Sequence, residues 1–193
     1  LLDDPGGGVR DPHVHYSGRK ILFSYRQGES PHYHLYEINI DGSGLTQLTS
    51  GPDDDIEPCY LPDGGIAFVS TRCQYGILCN APDVYTTKTV YLMDGDGGNI
   101  TALSNSPVSE ASPAVLPDGR IVFASTRTGS REEYHANTAR SLFTLSPNGE
   151  IQPLTQHIVA DTEPEVTYNG RVCFVRRRRH SPSNQPGSVE RKT

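Results

Sequence analysis

The chain has 193 residues, of which 34% are hydrophobic and 21% charged, and its formal net charge is -6. This length suits one domain with a substantial core, and no apolar run approaches the roughly 18 residues that a membrane-spanning helix needs. Residues 171–193 carry seven Lys or Arg and one Glu, so residues 1–170 are strongly acidic. The acidic main body would repel a nucleic-acid backbone, and we therefore expect no nucleic-acid binding through it.

The chain contains an internal repeat with two halves. The first half begins with a Pro, continues into a turn that ends in Gly, and closes with an apolar triplet. It occurs at residues 12–23, 58–68, 113–123 and 164–174. The second half is an apolar segment, a turn at Asp-Gly or Asn-Gly, and then Leu-Thr or Leu-Ser, at residues 35–49, 90–104 and 142–155. Chance does not produce four copies of one half and three of the other in the same order.

The local chemistry of each repeat predicts strands. The Pro-Asp-Gly turns at 62–64 and 117–119 combine the fixed φ of Pro with the tolerance of Gly for positive φ. The apolar triplets are rich in β-branched and aromatic residues, which favour strands, and Asp41-Gly42-Ser43-Gly44 is typical of a hairpin turn. Each unit therefore gives four short antiparallel strands, as in one blade of a β-propeller, whose faces must be covered by neighbouring blades.

The repeat predicts an all-β fold, a partial β-propeller of about three and a half four-stranded antiparallel blades. The predicted blades are residues 11–49, 57–104 and 112–155, with a half blade at 163–178. We expect residues 1–10 to be the edge of a fragment, because the chain begins without a methionine or a signal peptide, and residues 179–193 to be a disordered polar and basic tail. Propellers usually close with four to eight blades, so the missing blades are expected in a longer parent or a partner.

Three acids occupy the same place in successive repeats. Asp55, Glu110 and Asp161 each stand three residues before the repeat Pro, and the periodicity places them at one mouth of the ring. There they could bind a cation or a basic peptide. Alternatively, each carboxylate accepts hydrogen bonds from turn amides and fixes its blade.

Four histidines of the first blade form two pairs with the same spacing, His13 with His15 and His32 with His34. Side chains two residues apart on a strand face the same side, so converging pairs could bind Zn²⁺ or Cu²⁺. No carboxylate or Cys completes an obvious ligand set, and His15 occupies the position of Leu61 and Leu116 in the other repeats. The alternative is ordinary packing or a surface position.

Other candidate sites lie in loops and at the last strand. Tyr134 and His135, beside two Glu, form a titratable cluster in the long loop of the third blade, and the alternative is a surface loop without function. Asp94-Gly-Asp96 resembles the start of a calcium loop but lacks the Glu at position twelve, which favours a hairpin turn. The run Arg176–Arg179 could bind an anionic partner or be a solvated strand end.

Cys73 and Cys79 lie in the long loop of the second blade, and they could form a disulfide, remain free thiols or hold a metal. We predict a disulfide. Both side chains should then resist alkylation by iodoacetamide in a freshly oxidised native sample and react after reduction. Ready labelling of the unreduced native protein would dismiss the bridge.

The pattern Pro-x-x-x-Pro-Asp-Gly-x-Ile-x-Phe-x-Ser-Thr-Arg resembles the propeller repeat of TolB-type proteins over residues 11–178. Residues 55–79 are similar to a propeller segment of hydrazine synthase alpha-subunit-like proteins, and residues 131–135 are similar to a Tyr/His-bearing stretch there. The resemblance implies an extracytoplasmic bacterial protein, often with several domains. The true synthase of that group carries c-type haem. The haem motif Cys-x-x-Cys-His is absent from this chain, so we predict no haem, metal or other cofactor for it.

Three functions remain open from the sequence. The first is a noncatalytic scaffold that presents loops and a channel mouth to a protein partner, or to the remaining blades and domains of a longer parent. The second is a domain of a hydrazine-synthase-alpha-like metal or haem enzyme whose reacting groups lie partly outside this chain. The third is the propeller domain of a serine peptidase, with its hydrolase domain beyond Thr193, since no Gly-x-Ser-x-Gly motif occurs here.

Overall fold

The computed structural model describes residues 2–73, 87–106, 108–127, 140–146, 148–155, 160–177 and 190–192. These residues contain fifteen β-strands in four antiparallel sheets, and each sheet is formed by strands consecutive in the chain. This all-β blade architecture confirms the predicted fold class. Among the described residues, no helix is long and apolar enough to cross a membrane.

The first two sheets have four strands each, in chain order across the sheet. The first sheet comprises β1 (Gly8–Val14), β2 (Lys20–Arg26), β3 (His34–Asn39) and β4 (Thr46–Gln47). The second comprises β5 (Asp55–Tyr60), β6 (Ile66–Ser70), β7 (Thr89–Met93) and β8 (Thr101–Ala102).

The third sheet repeats this pattern and the fourth is shorter. The third comprises β9 (Glu110–Val115), β10 (Ile121–Ser125), β11 (Ser141–Leu145) and β12 (Ile151–Pro153). The fourth comprises β13 (Ala160–Val166), β14 (Val172–Arg177) and β15 (Glu190–Lys192). We call these sheets blades one to four.

Two details differ from the sequence expectations. The fourth blade has a third strand, because residues 190–192 pair with Phe174, Val175 and Arg176, although they fall in the segment expected to be a disordered tail. In addition, every first strand begins two to three residues before its predicted blade start. The prediction started from the repeat Pro, but pairing continues upstream of it through a β-bulge.

The bulge recurs at the residue before the repeat Pro. Register shifts occur at this point in all four first strands. The bulged residues all have φ of 53° or 54°, and they are Asp11, Glu57, Ser112 and Glu163. One extra residue per strand thus bends each first strand at the same height.

Apolar clusters join neighbouring blades. Leu22 and Leu35 of blade one pack with Ile66 and Phe68 of blade two. The next cluster combines residues of blades two and three, namely Ile56, Val69, Val90, Phe123, Phe143 and Leu145. A further cluster brings Val166, Val172 and Phe174 of blade four against blade three. Neighbouring sheets therefore bury apolar residues against one another, as propeller blades must, and blade one has a further buried cluster of its own, formed by Phe23, Tyr25, Tyr36 and Ile38.

A backbone hydrogen bond also links each blade to the one before it. In each case, a backbone N–H in the first strand of one blade donates a hydrogen bond to a carbonyl oxygen of the preceding blade. That carbonyl belongs to the residue just before the third strand of the preceding blade. The three bonds run from Asp55 to Tyr33, from Glu110 to Lys88 and from Asp161 to Arg140, at 2.8, 2.7 and 2.8 Å. The first strands are thus the inner strands, and they stand side by side.

A close approach between blades one and two depends on Gly97. Its φ is +89°, and a Cβ atom there would overlap the carbonyl oxygen of Leu48. Gly119 has a similar φ of +85° but no atom within 4 Å of that position. We expect Gly119→Ala to cost about 1–2 kcal/mol of unfolding free energy and Gly97→Ala to cost clearly more. Equal losses in urea unfolding would show that the contact with Leu48 is unimportant.

Candidate functional site: the inner-strand ends

The three acids of the repeat lie at the start of the inner strands. Asp55 and Glu110 are the first residues of β5 and β9, and Asp161 is the second residue of β13. Their exposed fractions are only 0%, 1% and 0%. The periodicity therefore placed them at equivalent positions, but none of the three carboxylates lies open at the surface.

An arginine of the same blade neutralises each buried acid. Arg72 Nη2 lies 2.7 Å from Asp55 Oδ2, and Arg127 Nη2 lies 2.8 Å from Glu110 Oε1. Both arginines end the Ser-Thr-Arg motif, which gives that motif a structural role. In blade four, Arg176 Nε lies 2.7 Å from Asp161 Oδ1. Arg176 stands two residues earlier in the repeat, at the position held by Ser70 and Ser125.

Further donors complete the coordination of these carboxylates. Ser70 Oγ donates to Asp55 at 2.7 Å. Ser104 Oγ donates to Glu110 at 2.7 Å, and the backbone N–H of Val90 donates to Glu110 at 3.0 Å. Buried carboxylates that are paired with arginine and accept hydrogen bonds fasten strands together, and breaking such a set is costly. The second of the two interpretations, fixation of the blade, fits this geometry, although the partners are arginine side chains more than turn amides.

The bulge residues form an inter-blade chain that the sequence analysis missed. Asp11 Oδ2 accepts from the backbone N–H of Glu57 at 3.1 Å. Glu57 Oε2 in turn accepts from the N–H of Ser112 at 2.5 Å. The signal was present, since a polar residue precedes the repeat Pro in every copy. The bulge amides of Glu57 and Ser112 thus each donate to a side chain of the preceding blade.

The two histidine pairs do not converge. Within the first blade, His13 pairs with Leu22 and His34 with Tyr25, so the pairs lie toward opposite ends of the sheet. Nδ1 of His32 lies 3.7 Å from Asp54 and Nδ1 of His34 lies 3.8 Å from Asp55. Over the ranges that the structure describes, no group of three or more His, Cys, Asp or Glu could hold a metal ion.

His13 and His15 pack against one aromatic ring of blade two. The ring centroids of His13 and His15 lie 5.7 and 4.7 Å from that of Tyr60. The hydroxyl of Tyr60 donates to Glu37 at 2.8 Å, and Lys20 pairs with the same carboxylate. These contacts place the pair on one side of the strand, as its spacing predicted, and in the interface between blades one and two.

Burial lowers the pKa of His13 below its ordinary value of 6.5, and its Nδ1 is buried without a hydrogen-bond partner. Because the unfolded chain then binds a proton more readily, stability should fall as the pH drops through and below 6.5. We expect His13→Asn to flatten the pH dependence of the unfolding free energy between about pH 7.5 and 5.5. An unchanged slope in urea titrations would exclude this role.

Several predicted sites fall wholly or partly on residues that are not described. Tyr134, His135, Arg178 and Arg179 lie outside the described residues, and so does Cys79. Cys73 Sγ donates to the carbonyl oxygen of Thr87 at 3.0 Å, and no disulfide links the cysteines that are described. The Cys73–Cys79 bridge therefore stays a prediction.

The candidate calcium loop is a hairpin turn. The N–H of Asp94 donates to the carbonyl oxygen of Gly98 at 2.9 Å, and Gly97 donates back to Asp94 at 3.0 Å. The equivalent turn of blade one has the same pair of bonds, between Asn39 and Ser43 and between Gly42 and Asn39. The Asp94 carboxylate accepts from Asn99 at 2.6 Å.

Comparisons with known proteins agree with this architecture. No protein-family model matches the chain. Hydrazine synthase subunit alpha of Kuenenia stuttgartiensis is 25% identical over 169 residues, which is 82% of this chain and 18% of the length of that relative. The chain thus spans less than a fifth of this curated relative.

Solved structures show the same fold. Kuenenia stuttgartiensis hydrazine synthase matches with a TM-score of 0.69 and 19% identity, over 87% of this chain and 29% of that chain. TolB from Acinetobacter baumannii matches with a TM-score of 0.68 and 18% identity, over 96% of this chain and 41% of that chain. The chain is therefore a set of β-propeller blades of the kind found in TolB and hydrazine synthase.

Proposed function

We propose that the chain is a scaffold of propeller blades that belongs to a larger assembly and presents its loops and channel mouth to protein. One observation carries this proposal. The repeated acids at the inner-strand ends stabilise the blades, because each acid is buried against an arginine of its own blade. The repeat therefore builds a rigid support, and recognition is left to the loops.

The proposed partner is the remainder of a longer propeller, or another domain of the same parent. The chain covers 41% of the TolB chain and 18% of the curated relative, and consecutive blades here share apolar clusters. We also propose an extracytoplasmic location, which rests on the likeness to these proteins and on the predicted Cys73–Cys79 bridge.

Sedimentation velocity of two separately expressed pieces tests the scaffold proposal. The remainder of the parent polypeptide, produced as a second chain, should form a stoichiometric complex with residues 1–193 in sedimentation velocity. An unrelated acidic protein at the same concentration controls for nonspecific association. Two independent boundaries at micromolar concentrations would contradict the proposal.

A second candidate is a domain of an enzyme related to hydrazine synthase, which the 25% identity over 82% of the chain favours. The described residues do not fit a haem site, because the two histidine pairs lie toward opposite ends of their sheet and the attachment motif is absent. The haem or metal ligands of such an enzyme would come from outside this chain. Haem absorbance and metal content of the purified parent distinguish this candidate from a scaffold without cofactors.

A further inference from the structure

Each blade has two faces, which we call the front face, toward the preceding blade, and the back face, toward the following one. In blades one to three, the back face of the second strand is carried by Leu22 and Ser24, Ala67 and Val69, and Val122 and Ala124. These six residues are at most 1% exposed, because the front face of the following blade packs against this side of the sheet in shared apolar clusters. A back face in this fold is therefore a surface that another blade covers.

The back face of blade four departs from this pattern. Val172 and Phe174 pack against blade three. Alternation along the strand turns Cys173 and Val175 to the opposite side, and both are only partly buried. No described strand outside blades three and four contacts β13, β14 or β15. Among the described residues, the stack thus ends on an accessible back face.

The inner strand adds an acid to the same face. The residue after the repeat Pro lies at each interface between blades, since His13 of blade one lies 5.7 Å from Tyr60 of blade two, between ring centroids. Its equivalents in blades two and three lie in the apolar clusters of the next interfaces. In blade four this residue is Glu165, which stands opposite Cys173 in the strand pairing and is exposed.

The carboxylate of Glu165 limits what can cover this face. No ion pair joins it to another described residue, and an acid that a docking sheet encloses costs free energy unless a hydrogen-bond donor or a cation meets it. The interface between blades one and two has a precedent, because the hydroxyl of Tyr60 donates to Glu37 across it at 2.8 Å. A blade that docks here should therefore carry a donor two residues after its own repeat Pro, as Tyr60 does in blade two.

A second copy of this chain does not offer that surface. The buried cluster on the front face of its blade one is only 3% to 7% exposed, and Leu2 packs against it. Asp4 fastens the segment that carries Leu2, because its carboxylate accepts from the Tyr25 hydroxyl at 2.6 Å. In addition, Val14 of blade one holds the repeat position of Tyr60 and has no side-chain donor.

We propose that the back face of blade four docks the front face of a further propeller blade of the same parent. That blade presents apolar residues to Cys173 and Val175, as the front faces of blades two to four do at their own interfaces. It presents a hydrogen-bond donor or a cation to Glu165. This docking rests on the proposed scaffold function, and it adds the surface that continues the propeller and the chemistry of the blade that covers it.

Cys173 reports whether the face is covered. Its reaction with N-ethylmaleimide is followed by peptide mass spectrometry at neutral pH, in residues 1–193 alone and in the intact parent. We expect labelling to be at least about tenfold slower in the parent, because a covered thiol does not meet the reagent. Cys59, which is 3% exposed, should stay unlabelled in both and controls for unfolding.

Variants of Glu165 test the chemistry of the contact in the parent. Glu165→Lys should raise the labelling rate of Cys173 at least about tenfold, because it sets a cation against the donor or cation of the docked blade. Glu165→Gln keeps an acceptor and should raise the rate less. Ile40→Lys, at a position of blade one that is 59% exposed, is the matched control and should leave the rate unchanged. Labelling of each variant as residues 1–193 alone corrects for a direct effect of the new charge on the thiol.

Three results would overturn the proposal. Cys173 might react equally fast in the chain alone and in the parent, or Glu165→Lys might react no faster than the wild type in the parent. A thiol that is protected in the chain alone at about 50 µM but labelled at about 0.5 µM would assign the face to a second copy. A complex with the remainder of the parent in which Cys173 stays reactive would leave the scaffold function standing and refute this surface, whereas no complex at all would refute both.

Discussion

Arg127→Met should lower the free energy of unfolding by about 3–5 kcal/mol. The substitution leaves the carboxylate of Glu110, which is 1% exposed, without the guanidinium that lies 2.8 Å away. An uncompensated buried charge costs far more than the lost attraction of an exposed pair. Urea unfolding at neutral pH, followed by circular dichroism, measures the loss.

The same blade offers a matched control. Arg120 and Asp118 also form an ion pair at 2.7 Å, but their side chains are 41% and 52% exposed. Arg120→Met should therefore cost only about 0–1 kcal/mol. The double variant Glu110→Gln/Arg127→Met should recover part of the loss, because it removes the stranded charge. Similar losses for Arg127→Met and Arg120→Met would show that the buried pair does not fasten blade three.

The sequence predicted the fold because the repeat carries it redundantly. The apolar triplets Ile66–Phe68 and Ile121–Phe123 became central strands as their β-branched and aromatic residues indicated. The turns at Gly64 and Gly119 adopt φ of 91° and 85°. Such signals are local, so a single sequence reveals them, and repetition raises their weight.

The positions of the three acids could be predicted from the sequence, but their arginine partners could not. Asp55, Glu110 and Asp161 were placed at equivalent positions, but their burial depends on arginines 15 to 17 residues away in the chain. A periodic pattern gives the position of a residue along its strand, whereas a partner across strands also depends on register. Arg176 illustrates this, since it reaches Asp161 from a position two residues earlier than Arg72 and Arg127 occupy.

Register shifts also hid the bulge network. The hydrogen bonds from Glu57 to Asp11 and from Ser112 to Glu57 need an extra residue in each inner strand. Alternation of polar and apolar residues does not reveal such an insertion, because a bulge reverses the facing of every residue upstream of it. The polar residue before each repeat Pro is understood only once neighbouring inner strands stand side by side.

Phe68→Ala should lower the free energy of unfolding by about 3–5 kcal/mol. Phe68 is 0% exposed and shares a cluster with Leu22 and Leu35 of blade one. Tyr168→Ala, at a fully exposed turn position, should change stability by less than about 0.5 kcal/mol and serves as the control. Urea unfolding compares the two variants.

Coupling between blades gives the sharper test of the stacked architecture. Leu22 of blade one and Phe68 of blade two lie in one cluster, whereas Phe143 of blade three lies in the next. Residues in contact typically show coupling energies of about 0.5–3 kcal/mol, and separate sites add. We therefore expect Leu22→Ala and Phe68→Ala to be non-additive, and Leu22→Ala and Phe143→Ala to be additive. Additivity in both pairs would mean that blades one and two do not share a core, because stability carried by nearest-neighbour interfaces must appear as coupling across the interface.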